Sequence, residues 1–315
     1  GVEDTETEFA KSKVAHYINL GSSLMYSAKC IQDFGLDILL FPEIGMDTLT
    51  KSLACLRLAP LQIASWGHPE TTGLPTIDLF LSAVLFEKEG ASSHYSETLL
   101  QLPSLGTFIE EDHTRAVKPN LESFNINIDA PIILCAGSPS KYSPLDDHVL
   151  VEIAKKLKHC NFIFFNFQEN LSSQLRERLN RVFFAAGLNG DDYFKFIPFL
   201  PKQEFFGLLL QADIYLDTIG FSGFNTALQA IFCNLPIVTI EGKFMRGRLA
   251  SGILNHIGLH ELVCNTKEEY VNLAIEILNN KAFANQIKNQ ISRSKSSLFS
   301  DSSPIDALET TSLTY

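Results

Sequence analysis

The stretch from Asp213 to Thr239 constrains the fold most, because its pattern predicts two strands joined by a loop and a helix. Asp213 to Asp217 is a short alternating apolar run typical of a strand end. Phe224 to Cys233 has helical apolar spacing, and Pro236 to Ile240 is a second strand candidate. Two strands connected through a helix favour neighbouring parallel strands, so the stretch indicates an α/β sheet.

The loop Ile219 to Gly223 carries two glycines and leads directly into the predicted helix. The first N–H groups of a helix have no partner within it, and they commonly bind phosphate. Asn225 and Thr226 fall in the first turn and could add side-chain donors, and Gln229 lies one turn later on the same face. Alternatively, Ser222, Asn225 and Thr226 simply cap the helix, as such residues often do.

The remaining chain alternates strand and helix candidates in two blocks. The predicted strands are residues 37–42, 60–66, 76–82, 131–136, 161–167, 194–197 and 261–264, and the predicted helices include 22–34, 145–157, 171–186, 203–211, 248–257 and 267–278. A turn-rich segment ends near Lys118, where we place a boundary between domains 1–118 and 119–315. Two such domains leave a cleft, and ligands in open parallel sheets bind beyond the carboxyl ends of the strands.

Composition excludes several classes of protein. A net charge of -11 argues against a general nucleic-acid binder, because neutralising phosphates requires a basic surface. No apolar run approaches the length of a membrane span, and the acidic start does not resemble a signal peptide. The six cysteines are scattered without metal-like spacing, which is typical of reduced core residues. We therefore expect a cytoplasmic protein without nucleic-acid or membrane partners.

Several polar residues follow the predicted strands. Lys141 comes directly after strand 131–136, where its ammonium could neutralise a departing diphosphate, although a solvated loop lysine fits the local pattern as well. Arg246 and Arg248 follow strand 236–240 and could bind the same group or pair with surface acids. His68, in a loop after strand 60–66, could act as a general base or hold the loop structurally.

Motifs along nearly the whole chain resemble one enzyme family. They are Phe41-Pro-Glu-Ile-Gly-Met-Asp, Arg57-Leu-Ala-Pro-Leu-Gln, Trp66-Gly-His-Pro, Pro75-Thr-Ile-Asp, His94-Tyr-Ser-Glu, Asp213-Ile-Tyr-Leu-Asp-Thr, Ser222-Gly-Phe-Asn-Thr-Ala-Leu, Leu235-Pro-Ile-Val-Thr and Lys243-Phe-Met-Arg-Gly-Arg. In this order they resemble the catalytic region of O-linked N-acetylglucosamine transferases, glycosyltransferase family 41, most closely the bacterial SPINDLY-like members. The resemblance implies a GT-B fold with two Rossmann-like domains facing a cleft, the second of which holds the nucleotide sugar.

The resemblance also implies roles for individual residues. The essential lysine near the diphosphate falls on Lys141, and the acceptor-side loop carries His68. The nucleotide-sugar contacts fall on Ser138, Lys202, Phe205, Ser222, Gly223, Asn225, Thr226, Gln229 and Arg248. Lys202 matches a uracil-contacting lysine of the animal enzymes, and Phe205 replaces a base-contacting histidine. No metal or other cofactor is implied, since no acidic metal-binding cluster accompanies the diphosphate site.

The chain departs from the family pattern in three places. Gln229 replaces the usual ribose-binding carboxylate, and Phe224 replaces a small residue or histidine beside the diphosphate. Compared with the family, the chain also begins inside the first domain, so we expect that domain to be truncated at its N-terminus and the acceptor-binding repeats to be absent.

The resemblance therefore implies an inverting transferase that moves N-acetylglucosamine, or another hexose, from a UDP-sugar to Ser or Thr hydroxyls of acceptor proteins. The alternative is a non-catalytic UDP-binding or protein-interaction module left from such an enzyme. Binding of UDP with turnover would indicate the transferase, and binding without turnover would indicate the non-catalytic module. Absence of UDP binding would indicate a purely structural role.

Overall fold

A computed structural model describes residues 4–312, and the chain divides into two compact units. The first unit extends to Leu81 and includes Tyr95–Leu99, and the second contains Ser82–His94 and the chain from Leu100 onward. Residues 100–118, which the sequence analysis assigned to the first domain, pack with the second unit. A boundary between independent domains near residue 118 stays a prediction, since packing alone does not test independent folding.

The first unit contains a four-stranded sheet in the order β1-β2-β3-β4, with β1, β2 and β3 parallel. Its elements are α1 (Thr5–Lys13), α2 (Leu24–Phe34), β1 (Ile38–Phe41), α3 (Thr48–Ala54), β2 (Leu61–Ser65), β3 (Leu79–Ala83) and β4 (Thr98–Leu102), the ends of β3 and β4 being counted with the second unit. Helix α2 ends at Gly35, which is left-handed with φ 59°, and the Asp47 side chain caps α3 by accepting from Thr50 N at 2.7 Å. The end of the predicted helix 22–34 is confirmed.

The second unit is a six-stranded parallel sheet flanked by helices. Its elements are β5 (Ile132–Leu134), α4 (Asp147–Leu157), β6 (Asn161–Phe165), α5 (Glu169–Ala185), β7 (Phe194–Ile197), α6 (Lys202–Leu209), β8 (Ile214–Leu216), α7 (Asn225–Phe232), β9 (Ile237–Ile240), α8 (Leu249–His256), β10 (Val263–Cys264), α9 (Lys267–Asn279), α10 (Lys281–Ser294) and α11 (Ser303–Ser312). The strand order is β10-β9-β8-β5-β6-β7, and every pair is parallel. This confirms the predicted doubly wound α/β sheet.

The centre of this sheet is apolar on both faces. Ile133, Leu134, Phe162, Ile163 and Ile214 are fully buried, as expected for strands covered by helices on either side. The chain proceeds from β5 toward β7 on one side and from β8 toward β10 on the other. Strands β5 and β8 therefore mark the position where the strand order reverses, which is where open α/β sheets bind ligands.

Candidate functional site at the switch between strands β5 and β8

Two loops leave neighbouring parallel strands at this switch point. One follows β5 and contains Ser138 and Lys141, and the other follows β8 and runs from Asp217 to Phe224 into α7. Leu134 of β5 is paired with Tyr215 of β8, so both loops begin at the same edge of the sheet. The fold thus brings together the two loops that the sequence predicted to bind phosphate.

The β8 loop is organised around the buried carboxylate of Asp217. It accepts hydrogen bonds from Ser222 Oγ at 2.6 Å, Gly223 N at 2.8 Å and Thr239 Oγ1 at 2.7 Å. Burial raises the pKa of Asp217, and the three donors and the charge of Lys141 oppose that rise. Ser222 is therefore bound to the strand-end acid, and it also accepts from Ala250 N at 2.8 Å.

Helix α7 begins without a side-chain cap. The cap position is Phe224, whose side chain makes no hydrogen bond to the helix start, and Asn225 is exposed at the first turn. Thr226 Oγ1 lies 2.9 Å from the hydroxyl of Tyr215. None of these hydrogen bonds of Ser222 and Thr226 goes to a backbone N–H at the start of α7, so the alternative that Ser222, Asn225 and Thr226 only cap this helix has no support in these contacts.

Gly223 is required by crowding at this turn. A Cβ atom at this position would lie 2.6 Å from Thr226 Oγ1 and 2.8 Å from the hydroxyl of Tyr215, both closer than real contacts of this kind. Gln229 lies one turn further along α7 and is half-buried. Glycine thus lets the loop pass close to the helix start, which is the arrangement that exposes backbone amides to a ligand.

Lys141 lies across from this loop, at the end of a short 3-10 helix over Pro139–Lys141. Its Nζ donates to the carbonyl oxygen of Ser222 at 3.3 Å and lies 4.5 Å from the ring centroid of Phe221. Burial lowers the pKa of Lys141, and the charge of Asp217 partly offsets this. The structure thus joins Lys141 to the β8 loop directly. Ser138, three residues earlier, is half-buried with its Oγ 3.2 Å from that of Ser140.

Arg178 of α5 anchors the loop that carries Lys141. Its Nε and Nη2 atoms donate to the two carboxylate oxygens of Asp147 at 2.8 and 3.0 Å, and Nη2 also donates to the carbonyl of Tyr142 at 2.8 Å. Burial raises the pKa of Asp147, and Arg178 opposes the rise. The sequence analysis missed Arg178, because α5 carries several arginines and nothing local distinguishes the one that faces Asp147.

Lys202 and Phe205 lie farther along the same edge, at the start of α6 after β7. Strand β6 separates β7 from β5, so these residues are not adjacent to Lys141 in the sheet. Lys202 Nζ is 3.0 Å from Asp112 Oδ2, and the Phe205 ring packs edge-on against Phe165 with centroids 5.6 Å apart. Their roles toward a base stay predictions.

Arg248 is buried and its guanidinium is already paired. Nε donates to the carbonyl of Phe86 at 2.9 Å, and Nη1 lies 2.9 Å from Glu241 Oε2 and 3.4 Å from the carbonyl of Gly242. These contacts make Arg248 a link between residues 86 and 241–242 of the second unit. A direct contact between Arg248 and a nucleotide sugar stays a prediction.

His68 belongs to the first unit, in the loop after β2. Its Nε2 lies 3.6 Å from Glu70 Oε2, and its ring packs against Gly45, where an added Cβ would come within 2.8 Å of Cδ2. Glu97 supports the same loop by accepting from Thr72 N at 2.7 Å and Thr71 Oγ1 at 2.7 Å. These contacts of His68 are with residues of its own unit.

Residues 4–312 contain no group of three His, Cys, Asp or Glu side chains arranged to hold a metal ion. Over the same residues, no helix is both long and apolar enough to cross a membrane.

The fold and the site together define a class of protein. Over 98% of its length the chain matches the structure of a mutant Thermobaculum terrenum O-GlcNAc transferase with a TM-score of 0.83 and 22% identity, covering 59% of that chain. The fold is accordingly the α/β fold of GT-B glycosyltransferases. The family model described as glycosyl transferase family 41 matches residues 142–306. The chain belongs to that family.

Curated relatives carry two kinds of name. A probable UDP-N-acetylglucosamine–peptide N-acetylglucosaminyltransferase SPINDLY from Solanum lycopersicum is 24% identical over 72% of this chain and 24% of its own length. A UDP-glucose:protein N-beta-glucosyltransferase from Actinobacillus pleuropneumoniae is 26% identical over 83% of this chain and 41% of its own. The chain therefore spans between about a quarter and two fifths of these relatives.

Proposed function

We propose that this chain is the glycosyltransferase region of an inverting enzyme that transfers N-acetylglucosamine, or another hexose, from a UDP-sugar to Ser or Thr hydroxyls of acceptor proteins. The proposal rests on one observation at the switch point. The half-buried ammonium of Lys141 donates to the carbonyl of Ser222, in the loop that leads into the uncapped start of α7. Membership of family 41 favours a transferase over a non-catalytic module.

The proposed chemistry needs stabilisation of a departing diphosphate. The bond between the anomeric carbon and the UDP oxygen breaks, while the acceptor oxygen bonds to the opposite face of the same carbon and its proton passes to a base. The backbone amides of Asn225 and Thr226 at the start of α7 and the charge of Lys141 would stabilise the negative charge that develops on UDP. His68 is our candidate for the base, since its imidazole is partly exposed in a polar loop.

The remaining candidates would recognise the nucleoside. We propose that Lys202 and Phe205 contact the uracil ring and that Gln229 contacts the ribose. Ser138 and Thr226 would contact the nucleotide near the diphosphate. Gln229 supplies an amide where the family resemblance leads one to expect a carboxylate, so ribose binding should be weaker than with a charged acceptor. Arg248 would act mainly through the loop it supports, given its contacts with Phe86 and Glu241.

The donor sugar and the acceptor also belong to the proposal. The names of the relatives mention both N-acetylglucosamine transfer to peptide and glucose transfer to protein, so the two donors should be compared directly. N-acetylglucosamine is our first choice because the motif order resembles the SPINDLY-like members. We also propose a cytoplasmic location, because the six scattered cysteines are typical of reduced thiols.

The test combines calorimetry with UDP and transfer of labelled sugar from UDP-N-acetylglucosamine and UDP-glucose to a protein acceptor. Lys141→Ala should lower kcat by about 100-fold or more, the usual loss when one transition-state donor is removed. Lys155→Ala, on the exposed face of α4, is the matched control and should leave the rate unchanged. Binding of UDP without turnover would support the non-catalytic alternative, and absence of UDP binding would contradict the proposal.

A further inference from the structure

Asp217 is the most enclosed charged side chain at the candidate site, with 2% of its surface exposed. It lies at the end of β8, and its backbone carbonyl accepts from the hydroxyl of Tyr270 in α9 at 2.9 Å. Through its carboxylate it contacts the β8 loop and Thr239 of β9. The residue thus connects the β8 loop with strand β9 and helix α9.

We infer that Asp217 is a positioning residue for donor binding, which fixes the β8 loop and keeps the ammonium of Lys141 in place and charged. This inference rests on the proposed function, in which Lys141 and the start of α7 bind the diphosphate.

The carboxylate is surrounded by donors that suit an anion. Ser222 Oγ already accepts the N–H of Ala250, so its own proton is free to point at Asp217 Oδ2. The N–H of Gly223 can only donate, and the Thr239 hydroxyl completes the set at 2.7 Å. The three donors replace part of the water lost around the buried carboxylate, and each of them binds the ionised form as an acceptor, so they oppose the rise in pKa that burial causes.

A short relay connects Asp217 to Lys141. Asp217 binds the Ser222 hydroxyl, and the Ser222 carbonyl accepts from Lys141 Nζ at 3.3 Å. The position of that carbonyl therefore depends on the carboxylate. Gly223 N, held by Asp217 at 2.8 Å, lies next to the first residues of α7, so the same carboxylate also sets where the helix begins.

The charges facing this pair are few. Lys141 is the cation whose charge acts on Asp217, and Asp217 is the anion whose charge acts on Lys141. Tyr215 on β8 and Tyr270 on α9 also interact with the carboxylate, and Cys135 and Tyr142 line the same cavity. Burial raises the pKa of all four groups, so they are neutral at ordinary pH. Without the carboxylate charge, only burial would act on the pKa of Lys141, so that pKa should fall further.

The first experiment does not depend on catalysis. Lysine side chains labelled with 13C at Cε are titrated by NMR in the full chain, with the Lys141 resonance assigned by its absence from Lys141→Ala. Asp217→Asn should lower the pKa of Lys141 by about 1, the shift expected when a close opposite charge is lost. Asp213→Asn is the control, because Asp213 lies at the other end of β8 and accepts from Ile132 N instead. An unchanged or raised pKa of Lys141 in a folded Asp217→Asn chain would overturn the inference.

The second experiment measures binding and turnover. Asp217→Asn should weaken UDP binding about tenfold, and the basic limb of its pH–rate profile should move to lower pH together with Lys141. A loss of activity without that movement would assign Asp217 a merely structural role and would overturn the inference. If wild type binds no UDP, the proposed function fails, whereas the Lys141 titration still tests the charge pairing.

Thr239→Val covers the case in which Asp217→Asn does not fold. It removes one of the three donors from the carboxylate without altering the loop or Lys141. The expected result is a Kd for UDP about fivefold weaker, which corresponds to one ordinary hydrogen bond. An unchanged Kd would overturn the inference.

Discussion

Two aspartates anchor the two loops of the candidate site, and they do so in different ways. Asp147 follows the β5 loop and is paired with a cation, since Arg178 donates to both of its carboxylate oxygens. Asp217 follows β8 and receives three neutral donors. Burial raises the pKa of both carboxyls. The cost of burying the two charges is offset differently. The charge of Asp147 is neutralised by Arg178, whereas the charge of Asp217 acts on Lys141.

The type of partner decides whether a buried aspartate affects only the folding of its loop or also the charge of a neighbouring residue. An aspartate closed in a bidentate pair fixes a loop but has little charge left to influence a neighbour. An aspartate solvated by hydroxyl and amide groups fixes a loop and still projects its charge. Changes at Asp147 and Arg178 should therefore act mainly on folding, and changes at Asp217 should also act on Lys141.

The largest effect on stability is expected from Arg178→Met. The substitution leaves the Asp147 carboxylate buried without its cation and the Tyr142 carbonyl without a donor, so it should cost about 3 kcal/mol. Urea unfolding of the full chain measures the loss. Arg176→Met is the matched control on the same helix, where the guanidinium only stacks over the Phe196 ring at 4.7 Å and the loss should stay below about 1 kcal/mol. Equal losses in the two variants would contradict the distinction drawn between the anchors.

Much of the fold could be predicted because the central strands are continuous apolar runs between turn signals. The stretches around β5, β6 and β9 are buried on both faces, and such runs are distinctive in sequence. Strand β4 was missed, since residues 98–102 lie in a turn-rich segment and are largely half-exposed. Helix α10 was missed as well, because it buries only Ile287 and Ile291 among polar residues.

The candidate site was predictable only in part. Lys141 and the loop before α7 follow strands, and position after a strand is visible in sequence. The sequence placed Asp217 at the end of a strand but did not reveal its contacts, because its three donors come from residues 5, 6 and 22 positions away. Arg178 and Tyr270 were missed for the same reason. The contacts of Arg248 with Phe86 and Glu241 likewise depend on folding, which a local pattern does not reveal.

A smaller effect concerns the pH dependence of stability at Asp217. Because burial raises its pKa in the folded chain above the ordinary value of 3.8, the folded chain binds the proton more tightly than the unfolded chain. The contribution of Asp217 to the free energy of unfolding should therefore increase as pH falls from above the folded pKa toward 3.8. Urea unfolding of wild type and Asp217→Asn between about pH 4 and 8 measures the difference. A difference that increases with pH would mean that the three donors outweigh burial.

The smallest effect, and one of opposite sign, is expected at Asp78 in the first unit. Arg57 Nη2 donates to Asp78 Oδ1 at 3.0 Å, and this pairing lowers the pKa of Asp78 below 3.8. Both side chains are partly exposed, so Asp78→Asn should cost at most about 1 kcal/mol near neutral pH. A lowered pKa contributes stability that is present above 3.8 and is lost as pH falls through the folded pKa. The difference between wild type and Asp78→Asn should thus shrink in acid, where that of Asp217→Asn increases. If both differences increased in acid, burial and not the type of partner would set how these carboxylates respond to pH. If both shrank in acid, the hydrogen-bond donors would outweigh burial at Asp217 as well.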